Sequence, residues 1–392
     1  MAQLYLIVAS VMTLPGLIVR LSGTHPAPLV STFIFGLAVL GSAFMLSWAA
    51  EVAQKDISQA LAVAFLALIA VLPEYAVDMY FAWAAAENPE YGHYATANMT
   101  GANRLLVGFG WPVIVLLYAL RHRRKAVKLE PAHRSEILFL GLATLYSVVI
   151  PLKGRLDLFD TFFLVSIFAM YAWRAAQAES HEPDLVGPAK WIGEMPVVRR
   201  RSAAITMFVF SGTVIFLAAE PFAESLVGVG RQLQIDEFLL VQWLAPLASE
   251  APEFIIAILW TLRGDAESGL AALVSSKVNQ WTLLMGTIPL VFSLALGHPG
   301  ALALDLRQEH EIWLTAAQSL FAVTILANLS LSWYGALALL VLFLSQLIFE
   351  NIRMPVSAVY VALAVLLIIR DRKHYPALFR DGFLGTGKHK DS

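Results

Sequence analysis

The sequence predicts an all-α polytopic membrane protein of about twelve transmembrane helices, an inverted five-plus-five repeat with one extra helix at each end. Three observations predict it. The composition is too apolar for a soluble surface, apolar runs of spanning length follow one another along the chain, and two related acidic segments enter the membrane from opposite sides.

Of the 392 residues, 58% are hydrophobic and only 14% charged, and the mean hydropathy is +0.68. Soluble domains carry about 25% charged residues, enough to cover a surface with water-binding groups. Lipid must do that covering here. The net charge of −2 points to no nucleic-acid partner. The absence of cysteine excludes disulfides and thiolate metal sites and leaves the compartment open. The N-terminal MAQLYLIVASVMTLPGLIVR has no basic residue before its apolar run, so it reads as a retained helix rather than a cleaved signal peptide.

A spanning helix needs about 20 mostly apolar residues. Such runs lie near 3–22, 29–50, 57–86, 94–120, 136–152, 157–176, 203–222, 235–262, 268–297, 312–331, 333–349 and 355–370. With the N-terminus placed in the cytoplasm, nineteen Lys and Arg fall on the cytoplasmic side, including the RHRRK cluster at 121–125, and six on the other. Basic loops stay inside, which puts both termini in the cytoplasm and makes the span number even. The expected organisation is a membrane half at 1–177, a cytoplasmic loop at 178–202, a second half at 203–370 and a cytoplasmic tail at 371–392, all in an integral protein of the cell (inner) membrane.

The two halves share a pattern. One reads AVLPEYAVDMYFAWAAAENPEYGHYATANMTGANRLLVGFGWPVIVLL and the other SEAPEFIIAILWTLRGDAESGLAALVSSKVNQWTLLMGTIPLVFSLAL. Both place Pro-Glu-aromatic deep in an apolar run (Pro73-Glu74-Tyr75, Pro252-Glu253-Phe254), followed by a short polar link and a second apolar run. That second run carries an amide nine positions before a proline: Asn103 before Pro112, Gln280 before Pro289. The repeats span about 57–120 and 235–297. The first link, ENPEYGHY, has no Lys or Arg and falls outside, and the second, TLRGDAES, falls inside, so the repeats are inverted. Inverted repeats with a midplane site are a recurring design of secondary transporters.

A carboxylate at the bilayer centre costs about 2.5–3.5 kcal/mol even on lenient scales. Glu74 and Asp78 are four apart and Glu250 and Glu253 three apart, so each pair shares a helix face. Like charges that close are tolerable when a cation or proton sits between them. Hard cations take several oxygen ligands, mixing carboxylates with carbonyls, amides and water. Pro73 and Pro252 each release the carbonyl four residues earlier, of Ile69 and Ala248. Those carbonyls are either cation ligands or the by-product of a packing kink.

LPE and APE, each followed by a helix with a small, Asn-rich segment, resemble the two α-repeats of sodium/calcium exchangers and the wider cation/calcium antiporters, over about 70–120 and 245–297. The resemblance implies ten core helices in two inverted halves with alternating access, and cations as substrates with no cofactor and no enzymatic activity. It places Glu74 and Glu253 as central ion ligands, Ser249 at a ligand hydroxyl, Ser276 at the serine of the GSN segment and Gln280 at its terminal Asn or Asp. In the first repeat two alignments stay open. Asn103 is the terminal Asn, or Asn98 is the first Asn and Asn103 the middle one. The pattern's two hydroxyls are replaced by Ala70 and Val71, Glu250 stands for Ser, and Lys277 stands for the middle Asn.

Arg104 and Lys277 are basic residues inside apolar runs. Counted with Glu74, Asp78, Glu250 and Glu253 they leave two negative charges, matching one divalent cation. Either base neutralises a neighbouring acid, or Lys277 takes part in coupling by standing in for a sodium ion or carrying a proton. Glu220 and Glu224 read as gate, interface or site residues, Glu51 as a helix end near water, and His93 and His310 as surface loop residues. No phosphate loop, HExxH or GxSxG occurs, so neither an ATP-driven pump nor a membrane hydrolase is supported. The expected function is a secondary cation antiporter, exchanging calcium or a related cation for sodium or protons. The alternatives are a proton-coupled exchanger of another cation and a cation sensor of the same fold.

Overall fold

The computed structural model describes residues 2–57, 71–177 and 185–385. Fourteen helices and four short strands follow in chain order among them. They are α1 (Ala2–Ser22), α2 (Pro28–Ala53), α3 (Leu72–Ala84), α4 (Glu90–His122), β1 (Ala126–Lys128), α5 (Pro131–Lys153), β2 (Arg155–Asp157), α6 (Leu158–Ala175), α7 (Gly187–Gly193), α8 (Val197–Leu233), α9 (Glu237–Leu262), α10 (Ala266–Leu296), β3 (Ala301–Ala303), α11 (Leu306–Leu326), β4 (Ser330–Ser332), α12 (Trp333–Ile348), α13 (Arg353–Arg370) and α14 (Tyr375–Leu384). Nine of the described helices are long and apolar enough to cross a membrane. The other expected spans are α3, α11 and α12. The α3 run starts in residues outside the description, α11 opens on the polar LRQEHEIW, and α12 has only 16 residues.

Helix ends are chemically marked. Asp157 caps α6, with Asp160 completing the reciprocal capping box, and Asp305 with Gln308 does the same for α11. Asn88 Oδ1 accepts from the Glu90 N–H at the start of α4. These caps start α4 and α11 earlier than hydropathy alone suggests. His93 and His310 therefore lie near the starts of helices, half-buried, and not in surface loops.

Two further expectations change. The helix expected at 203–222 is α8, 37 residues long. At ~1.5 Å per residue it outruns a ~30 Å hydrocarbon layer, so its polar ends, VVRRR and GVGRQL, lie beyond the apolar run that hydropathy detects. The segment expected as the loop 178–202 holds α7 and the first turn of α8, and the tail holds α14. Leu378 of α14 is buried, and its Phe383 ring meets Phe139 of α5 edge-on.

The chain packs as two units that do not coincide with the two repeats. The first holds the described residues of 1–98 and 179–253, the second those of 99–178 and 254–392, so the division falls inside α4 and α9. In the first unit α2 lies against α1 and α8, and α3 lies against α8. Its ion pairs join Asp56 to Arg200 and Arg201, Arg20 to Glu220, and Glu90 to Arg231.

In the second unit the strands form two antiparallel pairs, β1 with β4 and β2 with β3. Exchanging the two sequence halves maps one pair onto the other. In each pair, the loop after the repeat's second helix meets the loop between the two helices that follow the other repeat. Each pair also joins loops that the charge pattern assigns to one membrane face, as do the ion pairs of the first unit. The alternation of spans thus agrees with the inverted repeat.

Candidate ion site

The Pro-Glu motifs of the two repeats sit differently in their helices. Pro73 occupies the first turn of α3, where a missing N–H costs nothing, and the carbonyl of Ile69 lies outside the described residues, as does Ala70. Pro252 sits inside α9 together with Pro246, and the Ser249 hydroxyl donates to the carbonyls of Ala245 and Pro246 at 3.2 and 3.3 Å. Ser249 thereby offers its lone pairs rather than its proton to anything beside it.

The first unit gathers most of the expected ligands. Glu74 is 1% exposed and Asp78 fully buried, one turn apart on α3. Asn98 Nδ2 donates to Asp78 Oδ1 at 2.9 Å, tying α4 to α3. Ser249 and Glu250 are buried on α9 and Glu253 is half-buried. Among the described residues no three of His, Cys, Asp and Glu form a group able to hold a metal ion alone. A cation here would draw on carbonyl, amide and hydroxyl oxygens as well, the mixed set that hard cations prefer.

Asn103, Ser276, Lys277 and Gln280 belong to the second unit, and all are buried. Asn103 Nδ2 donates to the Met99 carbonyl at 2.7 Å, which turns Oδ1 outward. That oxygen accepts from Lys277 Nζ at 2.7 Å. The ammonium also lies 4.4 Å from the centre of the Trp281 ring, a cation–π contact.

Sequence reading missed a feature present in both second helices. A five-residue π-helical segment interrupts α4 at Leu106–Gly110 and α10 at Gln280–Leu284. Such bulges often mark functional sites. Each begins three residues after one member of the contact, Leu106 after Asn103 and Gln280 after Lys277. Counted from the start of the π segment, Asn103 and Lys277 stand at matching positions, whereas counted from the following proline Asn103 matches Gln280.

Arg104 has a different environment from the one its charge count assumed. Its guanidinium pairs with Glu311 on α11, Arg353 Nη1 reaches the other oxygen of Glu311 at 2.5 Å, and Arg104 Nη1 donates to Gln346 Oε1 at 2.9 Å. The charge of Arg104 is met by Glu311, which corrects the six-residue sum. Glu311 itself, 1% exposed, was not singled out from sequence. A search for an acid to match the intramembrane arginine was the available signal.

The remaining acids also find places. Tyr80 and Tyr91 both donate to Glu224 Oε1, the latter at 2.6 Å. Glu220 pairs with Arg20, both about half exposed. Glu51 is at a helix end, as expected, but is only 9% exposed because α7 and α8 pack on that end of α2.

With this geometry in view, comparison with known proteins is decisive. The sequence pattern described as "sodium/calcium exchanger protein" matches residues 27–176 and 203–350. The chain belongs to the sodium/calcium exchanger protein family. A crystal structure of the H+/Ca2+ exchanger CAX is 44% identical over 97% of each chain, with a TM-score of 0.94. More distant exchangers share the fold. Native YfkE is 14% identical over 88% of this chain and 98% of that one, with a TM-score of 0.63. The sodium-calcium exchanger NCX_Mj is 14% identical over 87% and 98%, with a TM-score of 0.52. No curated protein sequence matches the chain significantly. Membership of this family makes the chain an integral multi-pass membrane protein with two repeats of the exchanger fold.

Proposed function

We propose that the chain is a secondary antiporter that moves calcium against protons by alternating access, with inorganic cations as its substrates and no cofactor. The observation that carries this is the pair Glu74 and Asp78, buried one turn apart on α3, in a chain 44% identical to an H+/Ca2+ exchanger. Two carboxylates in that position are stable with a divalent cation between them or with protons on them. One cavity holding either alternative exchanges them, because moving it empty and charged through the membrane is costly. Glu74 and Glu253 serve as the central ligands. Asp78, Asn98, Ser249 and Glu250 of the same unit supply further oxygens, and Asn98 orients the Asp78 carboxylate. The excess of basic residues on one side of the spans supports a cytoplasmic position for both termini, and the cell membrane is the location that goes with this reading.

The test is uptake of radioactive calcium into proteoliposomes under an imposed pH gradient. Uptake is expected with the gradient and not without it, and Glu74→Gln or Glu253→Gln abolishes it while the purified variant stays monodisperse. Calcium binding to purified protein with no flux under any gradient would mark a sensor and overturn the antiporter reading.

A further inference from the structure

We propose that Lys277 is a tethered monovalent cation that excludes sodium from the transport cycle, so that this exchanger is indifferent to sodium. The proposal rests on the antiporter reading above and adds the residue that determines its ion specificity. Asn103 and Lys277 each stand three residues before the π segment of their repeat. The two side chains meet, Nζ to Oδ1 at 2.7 Å, and both are fully buried.

What Lys277 touches is what a small monovalent cation would take. An amide oxygen is a hard, neutral ligand for such ions. Asn103 is held in the orientation that presents it, because its Nδ2 is engaged by the Met99 carbonyl. The face of Trp281, one helical turn beyond Lys277, supplies the electron-rich second side. Lysine fits this place because its charge is a compact ammonium on a flexible stem, close to a point charge. A sodium ion arriving at Asn103 would have to displace that ammonium or share its oxygen with a second positive charge.

The position is also the one where the exchanger pattern has an asparagine, so a single exchange restores an oxygen and removes the charge. Lys277→Asn faces Asn103 with a second amide, and Lys277→Gln does the same with one more methylene. Lys277→Met removes the charge and supplies no oxygen.

The experiment compares these three variants with the wild type, purified in detergent and reconstituted, with sodium against choline at matched ionic strength. Binding is read as a sodium-dependent rise in melting temperature, which any ligand selective for the folded state produces. Transport is read as sodium inhibition of calcium uptake. The wild type and Lys277→Met are expected to ignore sodium in both readings. Lys277→Asn or Lys277→Gln is expected to gain a melting-temperature rise of several degrees at saturating sodium and at least a threefold inhibition of uptake. Either amide variant that gives a cooperative melt and stays indifferent to sodium overturns the proposal, as does a wild type stabilised by sodium. The melting readings need no transport, so a wild type that moves no calcium would sink the antiporter reading and leave the specificity result to be read on its own.

Discussion

Arg104 and Glu311, 207 residues apart in sequence, form an ion pair among fully buried surroundings. Arg353 shares the same carboxylate. Burying three charges is repaid when each keeps its partner, and removing one partner of a buried pair costs about 3–5 kcal/mol. Glu311→Ala takes away the carboxylate that both guanidiniums face. Arg353 retains Glu350 at 3.7 Å, so Arg104 carries most of the loss. The expected result is a large drop in melting temperature in detergent. It should be largely restored by adding Arg104→Met, which removes the buried charge. A Glu311→Ala protein as stable as the wild type would show that the pair is not holding α4 to α11.

A second contact makes a quantitative prediction in the first unit. The hydroxyls of Tyr80 on α3 and Tyr91 on α4 converge on one oxygen of Glu224 on α8. Hydrogen bonds to a charged group are worth about 1.5–3 kcal/mol each. Groups that share an acceptor do not act independently, and coupling of about 0.5 kcal/mol or more is the usual signature. Tyr80→Phe and Tyr91→Phe should each lower stability, and the double variant should depart from the sum of the two. Strict additivity in a denaturation cycle would mean that the two hydroxyls do not share Glu224.

How much of this was readable beforehand depends on the kind of signal. The spans were readable because lipid imposes long apolar runs, and the repeat because Pro73-Glu74 and Pro252-Glu253 sit at matching places in them. The length of α8 was not, since Arg200 and Arg201 lie in helix beyond the apolar stretch and look like loop. The partner of Arg104 was not, because a contact across 207 residues leaves no spacing to count. The π segments had no signature either. Glu51 was misjudged because the helix that covers it, α7, comes from a segment too short and polar to be expected.

Asp56 gives a pH dependence outside the membrane. Arg200 holds it through two hydrogen bonds at 2.7 and 2.8 Å, and Arg201 adds a third at 3.0 Å. The Arg200 hydrogen bonds foremost lower its carboxyl to about 2, against about 3.9 for a free Asp. A folded-state value below the unfolded one stabilises the fold fully above the unfolded value, and that contribution is lost as pH falls through the folded one. The melting-temperature gap between wild type and Asp56→Asn should therefore be constant above about pH 4 and close as pH falls toward about 2. A gap that persists unchanged at the acid end would mean that the carboxylate charge is not what joins α2 to α8.

The π segment of α4 is expected to be intolerant of added bulk. A Cβ built on Gly108 would lie 2.3–2.5 Å from Cγ, Cδ2 and Cβ of Phe343 on α12, and one on Gly110 would lie 2.5 Å from the Phe254 ring. Phe343 is 1% exposed. The clash is with the root of its side chain, not a movable tip, so rotation cannot relieve it. Overpacking of this kind costs about 1–3 kcal/mol. Gly108→Ala should lower the melting temperature, and Phe343→Ala in the same chain should relieve the clash by opening the space. Truncating a buried Phe itself costs about 3–5 kcal/mol, so the readout is the coupling: Phe343→Ala should cost clearly less in the Gly108→Ala chain than in the wild type. If Gly108→Ala melts like the wild type, α12 does not approach the π segment as closely as Phe343 indicates.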